Sequence, residues 1–147
     1  MQAAIGIIQL SKMPFWHAKR VSNANKIWST AKKCKGLRVP VIPDYIEHAA
    51  YKCYVFVEPE ELSEGWDRDR IIVEITSLGV QCLSGSCSEV YLENAFVNTG
   101  FRPESRLPNA KQLGETSLMF LIHPTLTTCD IQQTCDAIKS VLKLATS

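Results

Sequence analysis

The sequence lacks a surplus of either charge: 16 lysines and arginines stand against 15 aspartates and glutamates, for a net charge of +1. That balance excludes the basic footprint of a nucleic-acid binder and offers no pull toward an anionic membrane surface. No apolar run approaches the roughly 20 residues that a bilayer-spanning helix requires. The first residues, MQAAIGIIQLSK, have neither a basic n-region nor an uninterrupted apolar stretch, so they do not read as a secretory signal. The chain is therefore expected to be cytoplasmic. The three histidines form no His-x-x-x-His pair and the six cysteines no Cys-x-x-Cys pair, which leaves a zinc site unsupported, and no metal is expected. Without a secretory signal, Cys34, Cys53, Cys82, Cys87, Cys129 and Cys135 are expected to stay reduced. Cys53, in an apolar strand pattern, and Cys135, on an apolar helix face, would serve as small hydrophobes.

What is present is a globular composition, 46% hydrophobic and 21% charged, over 147 residues. That is one ordinary domain, able to bury about two thirds of its unfolded surface. Residues 2–12 read as a helix with Ala4, Ile5 and Ile8 on one side. Pro14 is tolerated in a first turn but not mid-helix, so a second helix is expected from Pro14 to about Lys33. It carries Val21, Ala24, Trp28 and Ala31 on one face, and Lys19, Arg20, Asn23, Lys26 and Lys33 on a solvated one. Leu37 to Asp44, with Pro40 and Pro43, is an extended connector. Ala49 to Val57 is the best strand, rich in aromatic and β-branched residues. Asp67 caps an amphipathic helix to Leu78, a short helix begins near Pro108, and Leu118 to Ile122 is a buried strand. Thr127 and Asp130 form a capping box for the closing helix.

The stretch with chemical character is Gly79 to Phe96, GVQCLSGSCSEVYLENAF. Val80 to Leu83 reads as a short strand, and Ser86 with Glu89 three residues on reads as the capping box of a helix. A strand that restarts as a helix at Ser84-Gly85-Ser86 would aim backbone N–H groups at a phosphate or carboxylate. The alternative is an ordinary connection whose serines only cap the helix. These elements give an α+β fold: a small three-stranded, mainly antiparallel sheet with helices on one face, preceded by two helices. The first helix has no preceding structure to cap it, as though cut from something larger.

Several motifs, taken in order, resemble one family. MQAAIGIIQLSKMPFWHAKR is similar to the helix pair joining the large and small domains of the DegT/DnrJ/EryC1/StrS sugar aminotransferases. His48 to Tyr54 (HAAYKCY) resembles the strand that enters the small domain. Trp66 to Arg70 with Leu78-Gly79-Val80, and Leu107 to Ala110 with Leu121 to Pro124, resemble the family's later motifs. The resemblance implies residues 1–35 as interdomain helices and 36–147 as the C-terminal small domain of a fold-type-I enzyme. Such enzymes use pyridoxal phosphate to aminate nucleotide-linked keto sugars. The catalytic lysine, the aspartate facing the pyridine nitrogen and most of the phosphate cup would lie upstream. No catalytic or cofactor-binding residue is thus expected here, and the chain alone is expected to bind no cofactor and not to transaminate. In that family a methionine precedes QAAIG within the chain, so Met1 is expected to be an internal position.

One departure concerns substrate contact. Gln81 to Ser88 occupies the place of a His-Tyr-x-Pro segment and resembles a subgroup carrying SGSCSE, so no substrate-contacting histidine is implied there. The candidate substrate-binding residues are Ser84, Gly85, Ser86 and Ser88, with His48 and Tyr51. His48 either lines a cleft or is a surface histidine; Tyr51 either bonds a substrate group or, as its strand position favours, is a core aromatic. Arg102 and Arg106 either meet a phosphate or are exposed loop residues, and His17 is expected to face solvent. A nucleotide sugar is the expected partner of the parent enzyme, with self-association or a homodimer through the leading helices and neither nucleic acid nor membrane. The competing reading is a stand-alone, non-catalytic α+β module that binds a nucleotide sugar or a protein.

Overall fold

The structure is a computed structural model and describes residues 2–147; Met1, the position expected to be internal, lies outside them. Its centre is β2 (Cys53–Val57), whose alternation assigns Cys53, Val55 and Val57 to a buried face. β2 pairs antiparallel with β4 (Ser117–Phe120), Cys53 opposite Phe120 and Val55 opposite Leu118. β3 (Cys82–Leu83) adds to the far side of β4, and β1 (Leu37–Arg38) to the free side of β2, for the order β1-β2-β4-β3. Tyr54 and Phe56 take the opposite face, their rings stacked at 6.4 Å, with the Arg38 guanidinium 4.5 Å over Phe56.

Three helices close the buried face. From α1 (Gln2–Ala31) come Ala24, Ile27 and Ala31, from α2 (Arg68–Ser77) Ile71 and Ile75, and from α4 (Thr128–Ala145) Ile131, Cys135, Ile138 and Leu142. Their termini form as the residues dictate. Asp67 accepts the Arg70 N–H at 2.7 Å, and Thr127 and Asp130 complete a reciprocal box at 3.2 and 2.7 Å. The remaining α-helix, α3 (Pro108–Thr116), runs directly into β4. Cys53 and Cys135 are buried in the core, as expected of small hydrophobes, and burial pushes the Cys53 thiol up to about 12.

Four expectations are corrected. The two leading helices are one, with Pro14 inside it. Proline's fixed φ is helix-compatible; it forfeits one hydrogen bond, to the Leu10 carbonyl, on a stretch whose residues are exposed. The sheet has four strands, because Leu37–Arg38 forms an edge pair with Phe56 and Val57 before Pro40 ends it. Asn23 is buried rather than solvated, its amide reaching the Ile122 and His123 carbonyls at 3.4 and 3.5 Å. No α-helix follows Ser86: Val90–Leu92 and Asn94–Phe96 are single 3₁₀ turns without side-chain caps. No helix among the described residues is long and apolar enough to cross a membrane.

Phe120, fully buried between Cys53 and Cys82, anchors the sheet to the helices. Phe120→Ala should cost about 3–5 kcal/mol of unfolding free energy. Phe101→Ala, at a side chain 78% exposed, should change it by less than about 0.5 kcal/mol. Denaturant titration of the two variants checks both values.

Candidate functional site

β3 ends at Leu83, and the Ser84–Ser88 turn lies against the start of β2. The Tyr54 hydroxyl donates to Ser86 Oγ at 3.2 Å and accepts the Ser86 backbone N–H at 3.1 Å. Lys52 Nζ donates to the same Oγ at 2.9 Å. Between them Gly85 has φ +89°, and a Cβ there would fall 2.4 Å from Tyr54 Cε1. Both the left-handed backbone and the closeness of the ring therefore require glycine. Burial pushes the Tyr54 hydroxyl up, but the two Ser86 hydrogen bonds and the Lys52 ammonium together outweigh it and hold it below its ordinary value.

These bonds explain the missing helix. Ser86 spends its N–H and its hydroxyl oxygen on Tyr54 and Lys52, so it has no cap to give. Glu89, the other half of the expected box, is buried and accepts from the Tyr91 hydroxyl at 2.6 Å and from Arg106 through both Nε, at 2.9 Å, and Nη2. Those bonds, Arg106 first and Tyr91 second, lower the Glu89 carboxyl to about 2. Tyr91 in turn accepts the Leu107 N–H at 3.0 Å, and Arg102 donates to the Leu92 and Glu93 carbonyls. Both loop arginines thus brace the 89–107 segment. Ser88 is half-buried against α3, where a Cβ on Gly114 would sit 2.6 Å from Ser88 Oγ. Ser84 is exposed. The Cys87 thiol is raised by its 3.3 Å bond to Glu93, which makes it a poorer nucleophile.

His48 and Tyr51 lie on the loop ahead of β2. His48 is exposed; its Nδ1 accepts the Ala50 N–H at 3.1 Å, at a buried alanine with φ +47°. His17 is half-buried rather than solvent-facing: its Nε2 donates to the His48 carbonyl at 2.9 Å, with Glu47 3.6 Å from Nδ1. With Trp28, Ile42, Ile46 and Ala50, the two histidines border a cavity of about 270 Å³. Tyr51 is 74% exposed, which corrects its assignment to the core. Sheet pairing begins at Cys53, so the alternation that would turn residue 51 inward does not extend to it.

Lys52, Tyr54, Gly85 and Ser86 are therefore in contact, whereas no hydrogen bond among the described residues joins His48 or Tyr51 to them. Sequence reasoning missed Lys52 and Tyr54. The available signal was strand parity, which places Tyr54 on the face opposite Cys53 and Val55, with Lys52 immediately ahead of the strand. Among the described residues no group of three or more His, Cys, Asp or Glu is arranged to hold a metal.

A sequence model of the DegT/DnrJ/EryC1/StrS aminotransferase family matches residues 1–139. The chain belongs to this family. An aminotransferase from Psychrobacter cryohalolentis is similar over 99% of this chain and 39% of its own, at 53% identity and a TM-score of 0.93. DesV from S. venezuelae, solved with a ketimine intermediate, is similar over 97% of this chain and 36% of its own (23% identity, TM-score 0.83). Spr1654 from Streptococcus pneumoniae, solved in a PLP form, is similar over 97% and 35% (19% identity, TM-score 0.79). The latter two show the fold alone. No functionally curated protein matches the chain. The chain spans 39% of the length of the Psychrobacter aminotransferase.

A pyridoxal phosphate site needs a lysine desolvated or set beside a cation, with groups that hold the ring. Every described lysine is exposed or half-buried, and Lys52 donates to Ser86. The residues of this aminotransferase-family chain do not by themselves fit the cofactor, so no chemical step is derived through it.

The Glu89–Arg106 tether has a definite pH signature. A carboxyl lowered in the folded state adds stability above its unfolded value of about 4.3 and loses it as pH falls through the folded one. Wild type should exceed Glu89→Gln in Tm at pH 6, and the gap should close between about pH 4.3 and about 2. Melting curves across that range check this; a gap independent of pH would contradict it.

Proposed function

We propose that this chain is the C-terminal small-domain portion of a pyridoxal-phosphate-dependent aminotransferase that aminates a nucleotide-linked keto sugar. Residues 1–35 join it to the large domain, and residues 36–147 supply one wall of the substrate cleft. The observation that carries this reading is the family match over residues 1–139, in a chain 39% as long as a 53%-identical aminotransferase. The Schiff-base lysine belongs to the large domain in this reading, which agrees with the exposure of the lysines here. Ser84, Gly85, Ser86 and Ser88 form the substrate-contacting turn, held rigidly by Tyr54. The exposed His48 and Tyr51 face the same cleft from the loop before β2.

A partner surface is part of the proposal. The first half of α1 exposes Ile5, Ile7, Ile8, Leu10 and Phe15, the last at 70%, on a helix whose contacts with the hydrophobic core begin at Val21. Such a patch is covered in an assembly. The proposed cover is the large domain and a second subunit, so the isolated chain should self-associate. Phe15→Glu should shift it toward monomer in sedimentation; a wild-type monomer that binds no hydrophobic dye would contradict this.

The function itself is tested by adding pyridoxal phosphate to the purified chain, reducing with borohydride and mapping adducts by mass. Scattered, substoichiometric labelling is the expected result. A stoichiometric adduct on one lysine, with aldimine absorbance, would overturn the assignment of the catalytic lysine to another domain.

A further inference from the structure

Ala50 is 1% exposed and takes φ +47°, in the left-handed region that a residue with a Cβ seldom occupies. Such a conformation persists only where its surroundings enforce it. The enforcing group is His48: its Nδ1 accepts the Ala50 N–H at 3.1 Å, and that N–H has no other acceptor among the described residues. In an Asx turn the oxygen of an asparagine or aspartate accepts the N–H two residues on. Here an imidazole nitrogen stands in that role, and unlike an amide oxygen it can take up a proton. Histidine is the side chain that ordinarily changes charge between about pH 5 and 8. Once protonated, Nδ1 donates and can no longer accept.

We propose that His48 is a proton-operated latch: neutral, it holds Ala50 and the entry to β2 in place, and protonated, it lets them go. The bond is made by the neutral ring alone, so the latch is closed at higher pH and opens as the pH falls. Opening leaves a buried N–H without an acceptor and removes the support for the left-handed backbone. The ionisable groups that face His48 do not oppose this. His17, from α1, keeps its Nε2–H on the His48 carbonyl at 2.9 Å in either charge state, and a proton on its Nδ1 would face Glu47, 3.6 Å away on the loop itself. The other side chains that line the shared cavity, from α1 and from the loop, carry no charge. Among them Trp28 meets the imidazole edge to face, with ring centres 6.0 Å apart. Residue 48 thus stays pinned to α1, and the change falls on residues 49–52. These include the exposed Tyr51, and Lys52, whose Nζ donates to Ser86 Oγ at 2.9 Å. His48 is therefore a positioning residue for the approach to the Ser84–Ser88 turn. The latch belongs to this chain alone and does not depend on what the turn contacts.

Proton–nitrogen NMR of the protein between about pH 8 and 5 tests this. In wild type the Ala50 amide should titrate with the same midpoint as the His48 Cε1–H. Its hydrogen exchange, corrected for the intrinsic effect of pH, should speed up about fivefold or more at the acid end. In His48→Asn an amide oxygen keeps an acceptor two residues before Ala50 but does not titrate, so the Ala50 signal should stay flat. His48 is exposed, so this variant should fold, which its Tm at pH 8 checks. His17→Gln removes the other histidine and should leave the Ala50 titration in place. An Ala50 amide that is flat in wild type, or that titrates with a midpoint different from that of His48, overturns the latch without recourse to any variant. A titration that persists in His48→Asn, or that vanishes in His17→Gln, overturns it as well.

Discussion

The alternation of β2 is the constraint from which the rest of this molecule follows. Cys53, Val55 and Val57 point into the core because Leu118, Phe120 and Cys82 meet them there under three helices. The same two-residue period sends Tyr54 and Phe56 to the opposite face, with Lys52 immediately ahead of the strand. A single register thus fixes both the hydrophobic contacts that hold the sheet and the polar side chains that hold the Ser84–Ser88 turn. A slip of one residue would exchange the two sets and abolish core and site together.

The turn is built by closeness rather than by a helix dipole. Tyr54 reaches Ser86 only because Gly85 has no Cβ and tolerates φ +89°. Beyond it, the buried Glu89 gathers Arg106 and Tyr91 and so ties residues 89 and 106–107 into one loop. Serines that would cap a helix in isolation are drawn into tertiary bonds, and the segment settles into 3₁₀ turns. The result is a rigid, donor-rich lip at one end of the sheet, beside a loop bearing His48 and Tyr51.

Much of this fold was legible in the sequence where local chemistry and burial agree. Asp67 and Thr127 cap the helices they precede, Cys53 and Cys135 lie in the core, the strands at residues 53–57 and 82–83 fall inside the expected segments, and that at 117–120 overlaps the one expected at 118–122. The resemblance to the aminotransferase family came from several short motifs in order, and the family match bears it out. What was not legible depends on partners distant in sequence. Pro14 sits within one continuous helix on a stretch of exposed residues, and Leu37–Arg38 becomes a strand only beside Phe56 and Val57. Glu89 resembled a capping residue until Arg106, 17 positions on, claimed its carboxylate. Lys52 and Tyr54 entered the site through a 32- to 34-residue separation from Ser86 that no local pattern encodes.

The most direct test of this account is hydrogen exchange at the Ser86 amide in wild type and in Tyr54→Phe. If Tyr54 holds the turn, loss of its hydroxyl should speed exchange at Ser86 and its neighbours while the amides of β2 and β4 keep their protection. Unchanged exchange at Ser86 would mean that the turn holds its shape without Tyr54, and the link between the core strand and the site would fail.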